Sequence, residues 1–230
     1  MKKILTLVLV MLLAVASAAV AEGVIGFLPP AMTSPFYASC IEGATPVAEA
    51  LGYELSVLAP PSEDDYATQT SMMEDFITQG VKGIAVCGIN LEALKPAIAK
   101  ANEAGIPVVM FNTITELDGV NVYAYSGYNQ YNGGAKIADW VNEQTGGEAK
   151  VAIIEGLPSD YTTQRMGGFV DRAKEAYPGI EVVTTQPGDW VREKGMNAAM
   201  DMIQAHPEIT VIYGLSDEMA LGAVQACKQL

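Results

Sequence analysis

The chain has 230 residues and carries 27 acidic against 13 basic side chains, a net charge of −14. A balance this acidic repels nucleic acid and anionic membrane surfaces, and it favours neutral or cationic small partners. Three cysteines (Cys40, Cys87 and Cys227) are too few and of the wrong parity for a disulfide framework, and each is expected to pack as a small apolar side chain. A lone His206 cannot build a zinc site, and no P-loop, Gly-x-Gly-x-x-Gly or nucleophile-elbow pattern occurs, so the residues indicate no metal, no cofactor and no catalytic group.

The first 21 residues read as a targeting segment. Lys2 and Lys3 precede an apolar run over 4–16 that is short for a membrane span, and Ala19-Val20-Ala21 supplies a small-residue cleavage site. Ala16-Ser17-Ala18 is a second candidate, and an uncleaved anchor is the competing reading. Cleavage near Ala21 removes two lysines and no acid, which leaves 11 basic and 27 acidic side chains and a charge of −16 on an exported, periplasmic protein.

From residue 22 onward, short apolar runs alternate with stretches of 3.6-residue period. Strands are expected at 24–27, 54–58, 83–87, 108–111, 123–126, 150–154, 181–185 and 211–214. The first helix is expected over 35–51, with Ser34 as N-cap and Pro35 at its first position; Pro46 inside it predicts a kink or irregular turn. The second, 65–79, turns Gln69, Met72, Met73, Phe76 and Ile77 inward and stops at Gly80. The third, 91–104, buries Leu94, Ala97, Ile98 and Ala101. Helices at 129–145, 162–176, 191–205 and 217–229 complete the set.

Strand–helix alternation implies parallel sheets with right-handed crossovers. Eight strands fit one sheet or two. The rhythm breaks between Phe111 and Asn129, where two strands follow each other without a helix, and this places a boundary between lobes at 22–126 and 127–230.

In open parallel sheets, ligands bind at the carboxyl ends of strands. The groups expected there are Ser34, Phe36 and Tyr37 after the first strand, Asn112-Thr113 after the fourth, Ser159-Asp160-Tyr161 and Arg165 after the sixth, Asp189-Trp190 after the seventh, and Ser216-Asp217 after the eighth. Rings, amides, hydroxyls and a guanidinium suit a sugar, whose C–H faces stack on aromatics and whose hydroxyls need paired donors and acceptors. Cys87 also falls at a strand end and makes that side of the site less polar.

Several stretches carry a family resemblance. They are Ser34-Pro35-Phe36-Tyr37, Gly105-Ile106-Pro107-Val108-Val109, Arg165 with Gly167-Gly168-Phe169, Gln186-Pro187-Gly188-Asp189-Trp190, and Ser216-Asp217-Glu218-Met219-Ala220-Leu221-Gly222. Together they resemble the ribose-type periplasmic binding proteins that feed ABC importers. The resemblance implies an α/β fold of two similar doubly wound parallel-sheet lobes joined by a hinge, a monomer when complete, enclosing a sugar or polyol for a membrane permease. It also implies an incomplete C-terminus, since the chain ends within the helix after the eighth strand.

By the same resemblance, Phe36 and Tyr37 cover one face of the sugar ring and Trp190 the other, Arg165 donates to hydroxyls, and Ser34 and Ser216 stand where relatives often carry Asn. Asn112-Thr113 replaces an Asp-Arg pair of ribose binders, which points to a sugar or polyol other than ribose. Plainer readings compete: helix packing for Phe36 and Tyr37, core packing for Trp190, a surface salt bridge for Arg165, and helix capping for both serines. At the level of function, a receptor that presents a sugar or an autoinducer-like signal to a chemoreceptor or sensor kinase is the alternative to import. A repressor conflicts with the N-terminal segment and the charge, and an enzyme would have to be built from Asp160, Asp189 and Asp217 alone.

Overall fold

The computed structural model describes residues 22–230, so the targeting segment and its cleavage sites lie outside the described residues. In chain order the elements are β1 (Gly23–Leu28), α1 (Pro35–Ala50), β2 (Tyr53–Val57), α2 (Tyr66–Gln79), β3 (Gly83–Val86), α3 (Leu91–Glu103), β4 (Val108–Phe111), β5 (Ala124–Ser126), α4 (Gln130–Thr145), β6 (Ala149–Glu155), α5 (Asp160–Ala176), β7 (Ile180–Pro187), α6 (Arg192–Ala205), β8 (Val211–Gly214) and α7 (Asp217–Gln229). All eight expected strands and all seven expected helices are present, with ends shifted by a residue or two.

The strands form two separate parallel sheets, one of five strands in the order β2-β1-β3-β4-β5 and one of three in the order β7-β6-β8. The chain leaves the first sheet after β5 and enters the second through α4. Each sheet has its own core. Phe76, Met73, Ile84, Leu94, Ile98 and Met110 are fully buried in the first, and Phe169, Ile153, Ile154, Met202 and Met219 in the second. At roughly 1.5–3 kcal/mol for each large side chain removed from water, burial of this kind drives both units to fold.

Local chemistry explains the helix boundaries. Six helices begin at a residue whose side-chain oxygen accepts from the backbone of the first turn: Ser34, Asp65, Asn90, Asn129, Ser159 and Ser216. Gly80 and Gly146 end α2 and α4 in the left-handed conformation that glycine adopts without strain. The helix expected from Thr162 starts at Asp160 instead, because Ser159 supplies the cap and draws Asp160 and Tyr161 into the first turn.

Two expectations are corrected. α1 runs unbroken through Pro46, whose ring lies on the exposed face, where the carbonyl deprived of its donor is open to water. Cys227 is exposed on α7 and not packed as an apolar side chain, whereas Cys87 is fully buried and Cys40 half-buried.

The helices of the second unit pack through reciprocal glycines. A Cβ on Gly134 of α4 would lie 1.9 Å from the Arg165 carbonyl oxygen, and one on Gly168 of α5 would lie 1.9 Å from that of Tyr131. The α6–α7 pair repeats the device: a Cβ on Gly222 would stand 2.1 Å from the Arg192 carbonyl oxygen, and one on Gly195 would stand 2.7 Å from the Met219 Cα. Backbones that close leave no room for any side chain.

Gly134→Ala is therefore expected to lower stability by more than about 2 kcal/mol through overpacking. Gly167→Ala, whose new methyl would meet nothing nearer than a Tyr131 ring atom at 3.8 Å, is expected to be neutral or slightly stabilising. Urea denaturation followed by circular dichroism compares the two.

Candidate functional site

Parallel strands send all their carboxyl ends, and the helix N-termini that follow, to one side of each sheet. Here the two sets face each other across a cavity of about 650 Å³. Its walls take Ser34, Phe36, Tyr37, Glu63 and Asn112 from the first unit, and Tyr128, Tyr161, Arg165, Trp190, Tyr213 and Ser216 from the crossing and the second unit. The volume suits a small organic ligand.

Seven of the eight residues singled out from the sequence line this cavity. Thr113 does not: it is 2% exposed and its hydroxyl accepts from the Thr115 amide at 3.0 Å, closing a local turn. Its backbone is also overlaid by Gly127, where a Cβ would lie 2.4 Å from the Thr113 nitrogen. The strand-4 pair thus divides its roles. Asn112 faces the cavity, while Thr113 fixes the turn beneath the crossing.

The two serines are caps as well as wall residues. The Ser34 hydroxyl accepts from the Phe36 amide at 3.3 Å and the Ser216 hydroxyl from the Met219 amide at 3.4 Å. Each helix N-terminus is thereby aimed at the cavity, with one hydroxyl serving both helix and wall. Phe36 is half exposed and Tyr37 buried, the two rings meeting edge-on at 5.2 Å between centroids. Phe36 therefore forms the rim and Tyr37 the floor.

Arg165 is not a surface salt bridge. Its Nε donates to the Gln130 side-chain oxygen at 2.6 Å and an Nη to the Leu215 carbonyl at 2.7 Å. Its guanidinium lies over the rings of Tyr128 and Trp190, at 5.7 and 5.5 Å from their centroids. A guanidinium has five N–H donors, so these two bonds leave the remaining ones to the cavity. Neutral acceptors hold it in place without neutralising its charge.

Gln130 is 2% exposed and joins the two units: its amide also donates to the Asn112 carbonyl at 2.6 Å. Asn112, Asp189 and Trp190 all have positive φ (61°, 51° and 66°). These are the non-glycine residues in that region among the described residues, and all three follow strand ends, with Asn112 and Trp190 lining the cavity. Costly backbone of this kind concentrates where a side chain must be held in one direction. For Trp190, Gly156 clears the way: a Cβ there would fall 2.0 Å from the indole.

A second link between the units lies under the floor. Phe27, Tyr37, Cys87 and Phe111 form a small cluster at the strand ends of the first sheet, against which Tyr161 of α5 packs. The Tyr161 hydroxyl and the Cys87 sulfur are 3.3 Å apart, and the Asn112 amide nitrogen approaches the same sulfur at 3.9 Å. Burial, opposed by bonds from Tyr161 and Asn112, pushes the Cys87 thiol up to about 11. Burial first, then the neighbouring Cys87, holds the phenols of Tyr37 and Tyr161 well above the ordinary tyrosine range. All three groups are neutral donor–acceptors at physiological pH.

The sequence gives no role to Glu63, Tyr128 or Gln130, and it places Tyr161 only among the groups that follow the sixth strand. Glu63 carried a signal, since it follows a strand, but it is hidden in the acidic run Glu63-Asp64-Asp65. Gln130 carried none: its importance comes from partners 18 and 35 residues away.

Two parallel-sheet units whose strand ends close on one aromatic and polar cavity define a cleft-type ligand-binding protein. The comparisons make this specific. Residues 25–230 match the model of the periplasmic binding protein domain, and the chain belongs to that family. It is 32% identical to the ribose import binding protein of Bacillus subtilis over 206 residues, covering 89% of this chain and 65% of that protein. It is 29% identical to the ribose import binding protein of Escherichia coli, covering 98% of this chain and 75% of that protein. Among solved structures, a periplasmic solute-binding protein of an ABC transporter from Actinobacillus succinogenes with bound D-allose superposes with a TM-score of 0.83 at 30% identity, over 90% of this chain and 74% of that one. The chain thus spans about two thirds to three quarters of these relatives. They are solute-binding proteins, not enzymes, and the family is periplasmic.

Arg165→Ala is expected to weaken ligand binding by about 1–3 kcal/mol, with Gln130→Leu weakening it less by releasing the guanidinium. Arg192→Ala breaks a bidentate pair with Glu218, at 2.9 and 2.8 Å between α6 and α7, and because Arg192 itself does not line the cavity the change is expected to alter affinity least. Isothermal calorimetry with D-allose and D-ribose ranks the three.

Proposed function

We propose that this chain is the binding component of an importer, capturing one neutral sugar or polyol between its two lobes and presenting it to a membrane permease. The observation that carries this reading is the cavity itself: Phe36 and Tyr37 on one side, Trp190 on the other, and between them an arginine fork anchored by neutral groups. A flat C–H face stacks on rings, and ring hydroxyls need a donor fork with fixed geometry. An anionic ligand is disfavoured by Glu63 in the wall and Asp217 at the rim. The relatives named for ribose and the neighbour holding D-allose agree with this class of ligand.

In this reading Ser34, Phe36, Tyr37, Asn112, Arg165, Trp190 and Ser216 contact the ligand, and Thr113 serves the turn behind them. The lobes divide at 126/127, the protein is exported with processing near Ala21, and it works as a monomer. The interface is closed by Tyr161 on Cys87 and by Gln130 on Asn112, so the bound form is a clamp whose two halves each contribute one aromatic face.

The chain has two tryptophans, Trp140 and Trp190, and Trp140 is exposed on α4 away from the cavity. In a Trp140→Phe variant the emission of Trp190 is expected to shift saturably with one of D-ribose, D-allose, D-arabinose or xylitol. A response to amino acids or peptides, with silence toward every sugar and polyol, would overturn the reading.

A further inference from the structure

We propose that Glu63 is a specificity-determining ligand residue, whose ionised carboxylate accepts hydrogen bonds from hydroxyls of the bound sugar or polyol on the side of the cavity opposite Arg165. The inference rests on the sugar reading above and goes beyond it by naming the acceptor and its consequence for pH.

The acidic groups in and around the cavity are engaged in different ways. Glu218 is held bidentately by Arg192, and outside the cavity wall Asp189 is paired with Lys194 at 2.7 Å. Asp217 is exposed in the first turn of α7, where the helix N-terminus stabilises it. Glu63 differs from all three. It sits in the loop between β2 and α2, half-buried in the cavity wall, and its hydrogen bond is a long one, from the Thr33 hydroxyl at 3.5 Å. A carboxylate offers about four acceptor sites, so most of its capacity is directed to whatever fills the cavity.

The other walls supply few strong acceptors. Arg165 only donates. The Tyr161 hydroxyl is shared with Cys87 beneath the floor, the Tyr37 phenol lies against the same thiol, and Asn112 is the neutral amide of the strand-4 pair. A polyol placed against the Arg165 fork brings hydroxyl protons as well as lone pairs, and those protons require acceptors on its other side. Glu63 is the carboxylate placed to take them, and charge-assisted bonds of this kind are about twice as strong as neutral ones.

The surroundings also tie this acceptor to pH. Burial raises the Glu63 carboxyl to about 7, opposed by the Thr33 bond and by the positive charge of Arg165. The groups facing it are Thr33 from the loop before α1, Tyr37 of α1, Cys87 at the end of β3, and Arg165 of α5. The phenol and thiol are pushed upward and stay neutral through the neutral range, so Glu63 is the group that changes charge there. The ionised form binds. Affinity is therefore full above pH 7 and falls as the pH drops through it, by about tenfold from pH 8 to pH 6.

Calorimetry at pH 6, 7 and 8 on the wild type and on Glu63→Gln, using D-ribose, D-allose, D-arabinose and xylitol, tests this. The substitution keeps shape and one acceptor, and thermal melting checks its fold. The expected result is a pH-dependent wild type and a Glu63→Gln variant at least tenfold weaker at pH 8 with a flat profile. Wild-type binding that is equally tight at all three pH values, or a variant that binds like the wild type at pH 8, overturns this inference and leaves the sugar reading intact. Silence of the wild type toward all four compounds overturns the sugar reading and this inference with it.

Discussion

A guanidinium that must serve a cavity has to be fixed without being neutralised, and the way Arg165 meets that requirement orders much of the structure. A carboxylate partner would hold it more strongly but would cancel the charge that it presents to the cavity. Gln130 and the Leu215 carbonyl hold it instead. Those two contacts need α4 and α5 almost touching and the end of β8 within reach. The Gly134–Gly168 crossing provides the first and the β6–β8 pairing the second. The rings of Tyr128 and Trp190 then lie beside the charge and narrow its position further.

Gln130 also makes the site a property of both units. Its two hydrogen bonds join the carbonyl of Asn112, at the end of the first sheet, to the arginine of the second. Asn112 itself is in the left-handed region, which asparagine tolerates better than most residues. The polar pair Cys87–Tyr161 runs parallel to this link, beneath the floor. Both bridges consist of neutral groups with short reach, so both form only when the two faces are close. That gives the contact between the units a directional component beyond the burial of apolar surface, and places it next to the cavity rather than at the periphery.

The periplasmic character of the family fits the surface as well as the site. A strongly acidic protein is kept soluble and apart from anionic lipid by its own field, while its cavity contains a single arginine held clear of the acids. Glu63 interrupts that division, as a half-buried acid in the wall, and its raised affinity for a proton is the physical trace of its position.

The sequence by itself determined the order and kind of the elements, because the 3.6-residue and apolar-run periodicities, the Ser and Asn caps and the glycine stops are all local. It also determined which loops would line the cavity, since parallel strands send their carboxyl ends one way; Ser34, Phe36, Tyr37, Asn112, Arg165, Trp190 and Ser216 were legible as cavity-lining residues on that rule. The tertiary structure alone decided that Thr113 turns away, since its burial depends on Gly127, fourteen residues on, passing over it. It alone decided that Arg165 is held by an amide rather than an acid, that Cys87 faces a tyrosine of the other unit, and that one glutamate of an acidic run enters the wall. Each of these depends on a partner far along the chain, and side-chain contacts across a cleft leave no period in the sequence to read.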